Sequence, residues 1–348
     1  MISHTRPGWP TWLMVGAAAL LLLLVAIVLG TAIGETDIPV KTVWQVLSNR
    51  LSGTDHPVDA LDEGIVWNYR LTRAIVAACC GAGLAVSGLI LQSMLRNALA
   101  DPYLLGISAG ASTGAVLVTV AGLGAGAVSM SAGAFLGAVT AFALVSLLAQ
   151  AAGGSGLRNS GQIVLAGIAG SQLFNALTSL IITKSGSAEQ ARGIMFWLLG
   201  NLSGVRWDDV GLTAAVAVSG VLVCCLHARA LDAFIFGTES AASMGIPVRR
   251  TQALLLLVAA LITAVMVSVV GAIGFVGLVI PHITRMLVGV RHQRLLPASA
   301  LIGAIFLIAA DVLSRTMIQG QVIPIGVVTA LVGAPAFALI LLRSRRQH

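Results

Sequence analysis

The chain has 348 residues, 57% of them hydrophobic and only 9% charged, with a mean hydropathy of +0.97 and a formal net charge of +7. Soluble domains carry about a quarter charged residues, so this composition excludes a water-soluble globule and makes lipid the natural solvent. The positive balance does not imply nucleic acid as a partner, because the arginines are scattered over many loops without an interleaved aromatic platform.

Crossing ~30 Å of hydrocarbon at ~1.5 Å per residue requires about 20 apolar residues. Runs of that kind lie near 11–33, 71–95, 104–127, 130–152, 161–183, 210–228, 251–271, 273–289, 296–314 and 324–342. Short alternating strands are absent, so the expectation is an all-α integral membrane protein, a polytopic bundle of about ten transmembrane helices. The first run exceeds the ~7–15 residues of a signal-peptide core and reads as retained. The apolar stretch 194–202 is too short to cross and is expected at the surface. No linker or internal repeat divides the chain, which reads as one membrane domain over 1–348.

With the N-terminus inside, the inner segments hold twelve arginines against three acids, and the outer ones eight bases against ten acids. That asymmetry places both termini in the cytoplasm. The cysteines form two adjacent pairs, Cys79–Cys80 and Cys224–Cys225, with neither Cys-x-x-Cys spacing nor histidines at metal spacing, so they read as packing residues and no bound metal is expected.

The stretch LRNALADPYLLGISAGAS, Leu95–Ser112, interrupts two long apolar runs with Arg96, Asn97, Asp101 and Pro102. Pro102 forces a turn, and the residues alone describe a polar hairpin at the inner end of the second span. In the fifth span, Ser171, Asn175 and Thr178 fall on one helix face with Gln172 and Ser179 alongside, a pattern that serves helix–helix hydrogen bonding or pathway lining equally well. Between the sixth and seventh spans, DAFIFGTESAASMGIPVRR (232–250) offers Thr238 as cap of a short helix, Gly245 to end it and Pro247 to stop its continuation. Phe234, Ile235, Phe236 and Met244 are expected to be exposed there, and apolar residues on an aqueous loop mark a contact.

Several motifs together resemble the FecCD-type permeases, membrane subunits of ATP-driven importers for ferric siderophores, haem and cobalamin. They are RNALADPYLLGISAGAS, GAIGFVGLVIPHITRMLVG (271–289), IPIGVVTALVGAPAFALILL (323–342), YRLTR (69–73) and RGIMFWLLGNLSG (192–204). Ala98 stands where that family carries Pro, and Val322 where an acid often precedes the last span. The resemblance implies ten spans and a homodimer in a bacterial inner membrane, served by two cytoplasmic ATPase subunits and an external solute-binding protein. It implies an inner gate at Asn97 and Leu99 with Ser160 and Gly161, and it turns the face of Ser171, Gln172, Asn175 and Thr178 towards the pathway. It also implies ATPase coupling through Phe236, Thr238, Glu239, Ala242, Met244, Gly245 and Pro247. Binding-protein docking would fall on Arg70, Arg73 and Arg315, where Asp311, four residues before Arg315 on a helix, is placed to pair with it.

The only lysines, Lys41 and Lys184, end no G-x-x-x-x-G-K-[ST] loop, so any ATP and Mg²⁺ belong to partner subunits and no cofactor is expected on this chain. Two other classes are weighed. GISAG (106–110) matches the form of a nucleophile elbow with Ser108, and His282 is available as a base, but no strand precedes it. An ion-coupled transporter needs mid-membrane acids, and Asp311 is the best candidate. The expected cargo is an iron chelate, a ferric siderophore first, because RGIMFWLLGNLSG reads most like the siderophore branch; haem and cobalamin are the alternatives.

Overall fold

The structure, a computed structural model, describes residues 9–122, 128–151, 160–184 and 188–344. Residues 152–159, between the fourth and fifth apolar runs, lie outside the described residues. The helices in chain order are α1 (Trp9–Ala32), α2 (Val40–Ser52), α3 (Ala60–Gly64), α4 (Thr72–Met94), α5 (Ile107–Ala121), α6 (Met130–Ala151), α7 (Ser160–Thr183) and α8 (Ala188–Leu198). They continue as α9 (Trp207–Leu226), α10 (Ala228–Ile235), α11 (Thr238–Ser243), α12 (Val248–Val270), α13 (Val276–Val288), α14 (His292–Thr316) and α15 (Ile325–Ser344). Seven helical segments are long and apolar enough to cross a membrane, and three shorter apolar ones, Ile107–Val120, Val276–Val288 and Ile325–Leu339, complete the ten expected.

α4 is the pillar of the bundle. Twenty of its 23 residues are buried, between α9, α12, α13 and α14. Its sequence allows this because glycine stands at the crossings. A methyl group on Gly81 would collide with the carbonyl of Gly303 in α14, and one on Gly88 with that of Gly277 in α13. Gly110 and Gly114 of α5 meet Gly137 and Gly133 of α6 in the same way. Lipid provides no hydrophobic drive between helices, so close backbone approach and dispersion hold such pairs. By contrast Met14, Leu20, Leu21 and Leu24 of α1 are between 59% and 71% accessible, as the lipid-facing side of a helix should be.

Three segments differ from the sequence reading. Residues 34–69, which lie between the first two apolar runs, carry α2, α3 and a π-helical stretch (Ile65–Leu71) that runs directly into α4. They pack on their own cluster of Ile38, Val43, Val46 and Val66. The stretch 194–202 is only half at the surface: Ile194 and Trp197 are buried, while Met195, Phe196 and Leu199 are exposed. It is drawn inward because its backbone joins neighbouring segments, Asn201 N–H donating to the Val270 carbonyl at 2.8 Å and Gly326 N–H to that of Leu199 at 3.0 Å. The loop 232–250 is largely helical. α10 buries Leu231 and Phe234, so Phe234 is not among the exposed apolar residues. Gly237, at φ 104°, rather than Thr238, occupies the N-cap of α11, and Gly245, at φ 81°, follows its end.

Candidate functional site

A crevice of about 410 Å³ opens where α7 faces a one-turn 3-10 helix (Pro102–Leu105) and the unwound joint between α12 and α13. Ser171, Gln172 and Asn175 line it from α7, and Asp101, Gly274 and Phe275 from the other side. The opposite wall is pinned by one phenol. Tyr103 Oη donates to the Ile273 carbonyl at 2.9 Å and accepts from the Ile273 N–H at 2.8 Å, which ties the 3-10 turn to the joint. Asp101 caps that turn through the Tyr103 N–H, at 2.9 Å. Phe275 takes the left-handed region at φ 70°, a costly backbone for an aromatic residue, and its ring base packs where Gly333 leaves room. Thr178 does not join the crevice. It is buried and bonds Thr113 Oγ1 at 2.8 Å, linking α7 to α5, so this member of the polar face serves helix packing.

Sequence reasoning missed Tyr103 and Phe275. A signal for the first was available: the chain has only two tyrosines, and a tyrosine in an apolar run finds a partner for its hydroxyl. Nothing in the sequence announces the strained Phe275 backbone.

The expected gate residues stand at the end of α4. Asn97 and Leu99 are both exposed, Leu99 by 47%, and Asn97 Oδ1 accepts from the Leu99 N–H at 2.9 Å. Ser160 and Gly161 open α7, and Gly161 is exposed. On the same end, Phe236 and Met244 are 74% and 57% exposed, and Glu239, Ala242, Gly245 and Pro247 are exposed with them, while Thr238 is half-buried.

At the opposite end the structure corrects the sequence reading. Arg70, Arg73 and Arg315, expected as a docking rim, are 1%, 1% and 2% exposed. Arg73 donates to Asp311 Oδ1 from Nε at 3.1 Å and Nη2 at 2.6 Å, and to the Tyr69 and Ser203 hydroxyls through Nη1. Arg315 Nη2 lies 2.9 Å from Asp311 Oδ2, as its spacing suggested, though off the line of a hydrogen bond. Arg315 also donates to the carbonyls of Gly30 at 2.9 Å and Ile33 at 3.0 Å. Arg70 donates to the carbonyls of Ala32 at 3.0 Å and Thr36. Arg73 is drawn in by the Asp311 carboxylate, and Arg70 and Arg315 by the C-terminus of α1, whose last carbonyls have no helical partner and carry the negative end of the helix dipole. Guanidinium groups fill that role and are withdrawn from the surface. The π-helical stretch also breaks the α-helical phase between Arg70 and Arg73, three residues apart.

The hydrolase alternative finds no support in geometry. Ser108 on α5 and His282 on α13 share no hydrogen bond among the described residues. A Ser–His–Asp chain does occur elsewhere. His292 Nδ1 lies 2.7 Å from Asp232 Oδ1, and Nε2 lies 2.7 Å from Ser93 Oγ. Ser93 is 6% exposed and its hydroxyl already bonds the Leu89 carbonyl within its own helix at 2.8 Å, so the chain clamps α4, α10 and α14 together.

Residues 22–343 match the FecCD transport family. The ABC transporter permease protein YvrB of Bacillus subtilis is 38% identical over 331 residues, covering 93% of this chain and 92% of its own. The cobalamin import system permease protein BtuC of Halobacterium salinarum is 42% identical over 285 residues, covering 81% of this chain and 74% of its own. The hemin transport system permease protein HmuU of Yersinia pestis is 36% identical over 335 residues, covering 94% and 96%. A solved structure described as an inward-facing metal-chelate-type ABC transporter superposes with a TM-score of 0.80 at 28% identity, over 96% of this chain and all of that one.

Proposed function

This chain belongs to the FecCD transport family and is a multi-pass ABC importer permease, and we propose that its cargo is a ferric siderophore. The observation that carries the reading is the crevice beside Tyr103. Its polar wall consists of amides and hydroxyls from Ser171, Gln172 and Asn175 with the single carboxylate of Asp101. Such a wall suits a large ligand whose metal is already chelated, whereas capture of a bare ion requires several carboxylates or imidazoles. Haem and cobalamin are the alternatives, in keeping with the relatives named for hemin and cobalamin.

In this reading two copies of the chain pack around the crevice in a bacterial inner membrane. The apolar face of α7, with Leu165, Ile168 and Leu173 at 48–68% exposure, is available for the second copy. Two ATPase subunits take up the exposed Phe236 and Met244, and hold the ATP and Mg²⁺ that drive transport. A solute-binding protein delivers cargo at the opposite end, on a surface other than the buried arginines. Asn97 and Leu99, with Ser160 and Gly161, form the inner gate. The deciding experiment reconstitutes the permease with its ATPase subunits and binding protein in proteoliposomes. ATP-dependent uptake is then measured for a panel of ferric siderophores, haem and cobalamin. Uptake of a siderophore supports the assignment; uptake of haem or cobalamin alone moves the cargo to that branch.

A further inference from the structure

A second cavity, of about 750 Å³, lies at the end of the bundle that carries α10 and α11, between the end of α4, the end of α10 and the turn from α13 to α14. Three arginines line it, Arg96, Arg285 and Arg291, each from a different segment. Its one acid, Asp232, is already engaged, since Oδ1 accepts from both the backbone N–H and Nδ1 of His292, at 2.9 and 2.7 Å. Among the described residues no carboxylate lies within ion-pair distance of any of the three arginines. Arg285 is the most constrained. It is half-buried, and its single described side-chain contact is from Nη1 to Gln92 Oε1 at 2.7 Å, which leaves most of its donors directed at no protein acceptor.

Arg96 supplies an independent observation. It follows the C-cap of α4 in a Schellman turn, with the Asn97 N–H returning to the Gln92 carbonyl at 3.1 Å, and it adopts φ 48°. Glycine is the ordinary occupant of that position, because a side chain there is strained. The chain instead holds an arginine there, with its guanidinium set against Gly237, next in sequence to the cavity-lining Phe236. Strain retained at a surface turn and a half-buried cation without an acid both point to a ligand that supplies the missing negative charge. The rim adds apolar contacts, Ile235, Phe236 and Val290 being 43%, 74% and 63% exposed.

We propose that this cavity binds the phosphate group of an anionic ligand, presented either by the headgroup of an anionic phospholipid or by free phosphate. Guanidinium groups arriving from three segments match the oxygens of a tetrahedral phosphate, each able to make charge-assisted, two-pronged contacts. Basic pockets between spans on the positive side of a membrane protein suit such headgroups. The proposal concerns ligand binding alone and stands apart from the cargo assignment.

The test uses the purified full-length permease in phosphatidylcholine nanodiscs. In one arm inorganic phosphate is titrated calorimetrically. In the other, nanodiscs containing about one-fifth phosphatidylglycerol are stripped with detergent, and retained lipid is read by native mass spectrometry. Saturable binding is expected in at least one arm, and which arm responds assigns the source. Arg285→Gln should weaken it by about tenfold or more, as loss of a bidentate charged contact does. Should Arg285→Gln fail to fold, the double variant Arg96→Gly/Arg291→Gln decides, because glycine is the relaxed residue at position 96. Absence of binding in both arms overturns the proposal, as does wild-type binding in the variants. Protection of these arginines from phenylglyoxal only when ATPase subunits are added, with neither arm positive, would replace phosphate with a protein carboxylate and also overturn it.

Discussion

Asp311 joins two buried arginines at one end of the bundle. It is 1% exposed, and its two oxygens face Arg73 and Arg315. Replacing it with Ala leaves two buried guanidinium groups without their acid, a change that costs roughly 3–5 kcal/mol when a buried pair is broken. We expect Asp311→Ala to lower the thermal unfolding temperature in detergent far more than Glu63→Ala, whose partner Arg50 is half exposed. Equal shifts for the two would show that the buried cluster is not a structural tie. Arg96 works in the opposite sense. Its left-handed backbone is strained by about 1 kcal/mol, so Arg96→Gly should raise the unfolding temperature slightly. A fall would mean that the arginine side chain stabilises the turn in the ligand-free protein.

Helix crossings depend on the absence of side chains at single positions. The contact of Gly88 with the Gly277 carbonyl leaves no room for a methyl group, and the atoms it would meet are all Gly277 backbone, which cannot swing aside. Gly88→Ala should therefore separate α4 from α13 and abolish the folded permease, as judged by loss of the monodisperse peak in size-exclusion chromatography. Gly211 on α9 is a fitting control, since open space surrounds its missing Cβ. Gly211→Ala should be neutral or stabilising by about 0.5–1 kcal/mol, the ordinary helix preference. At the other end of the bundle, α10 and α11 present Phe236 and Met244 without burying them. Phe236→Asp and Met244→Asp should leave the fold unchanged and release co-purifying ATPase subunits. Retention of the ATPase by both variants would remove this surface from the coupling role.

On the scale of the whole molecule, the proposed pathway through the crevice becomes an accessibility pattern along α7. In a background with the four native cysteines replaced, single cysteines at Ser171 and Asn175 should react with a membrane-impermeant maleimide, whereas cysteines at Phe174 and Thr178 should not. The structural reason is that Ser171 and Asn175 line the crevice while Phe174 and Thr178 are 8% and 7% exposed against α5. Uniform labelling along the helix would mean that α7 faces water on all sides and that the crevice is not the route. Asn175→Leu should reduce ATP-driven uptake while the assembled complex remains intact. Thr178→Val should act on stability first, by about 1 kcal/mol for one lost hydrogen bond.

The sequence by itself determined the solvent, the helical class and the ten apolar segments, because membrane burial is a property of composition over about 20 consecutive residues. It also located the polar hairpin at Asn97 and the exposed loop at Phe236, since each breaks a local pattern that one strand of text can show, whereas the polar face of α7 reads as pathway only through the family resemblance. The Asp311–Arg315 pair was legible for the same reason, four residues on one helix being near neighbours. What required tertiary structure was the direction in which equal-looking residues turn. Arg70, Arg73 and Arg315 read as surface charges until the fold supplies their distant partners, the carbonyls at the end of α1 for Arg70 and Arg315 and the Asp311 carboxylate for Arg73. Thr178 reads as pathway until Thr113 claims it, and Phe234 as exposed until α10 folds it against the core. Arg96, Arg285 and Arg291 meet only because α4, α13 and the following turn converge. A periodic pattern assigns a residue to a face, but long-range packing decides whether that face meets lipid, water, another helix or a ligand.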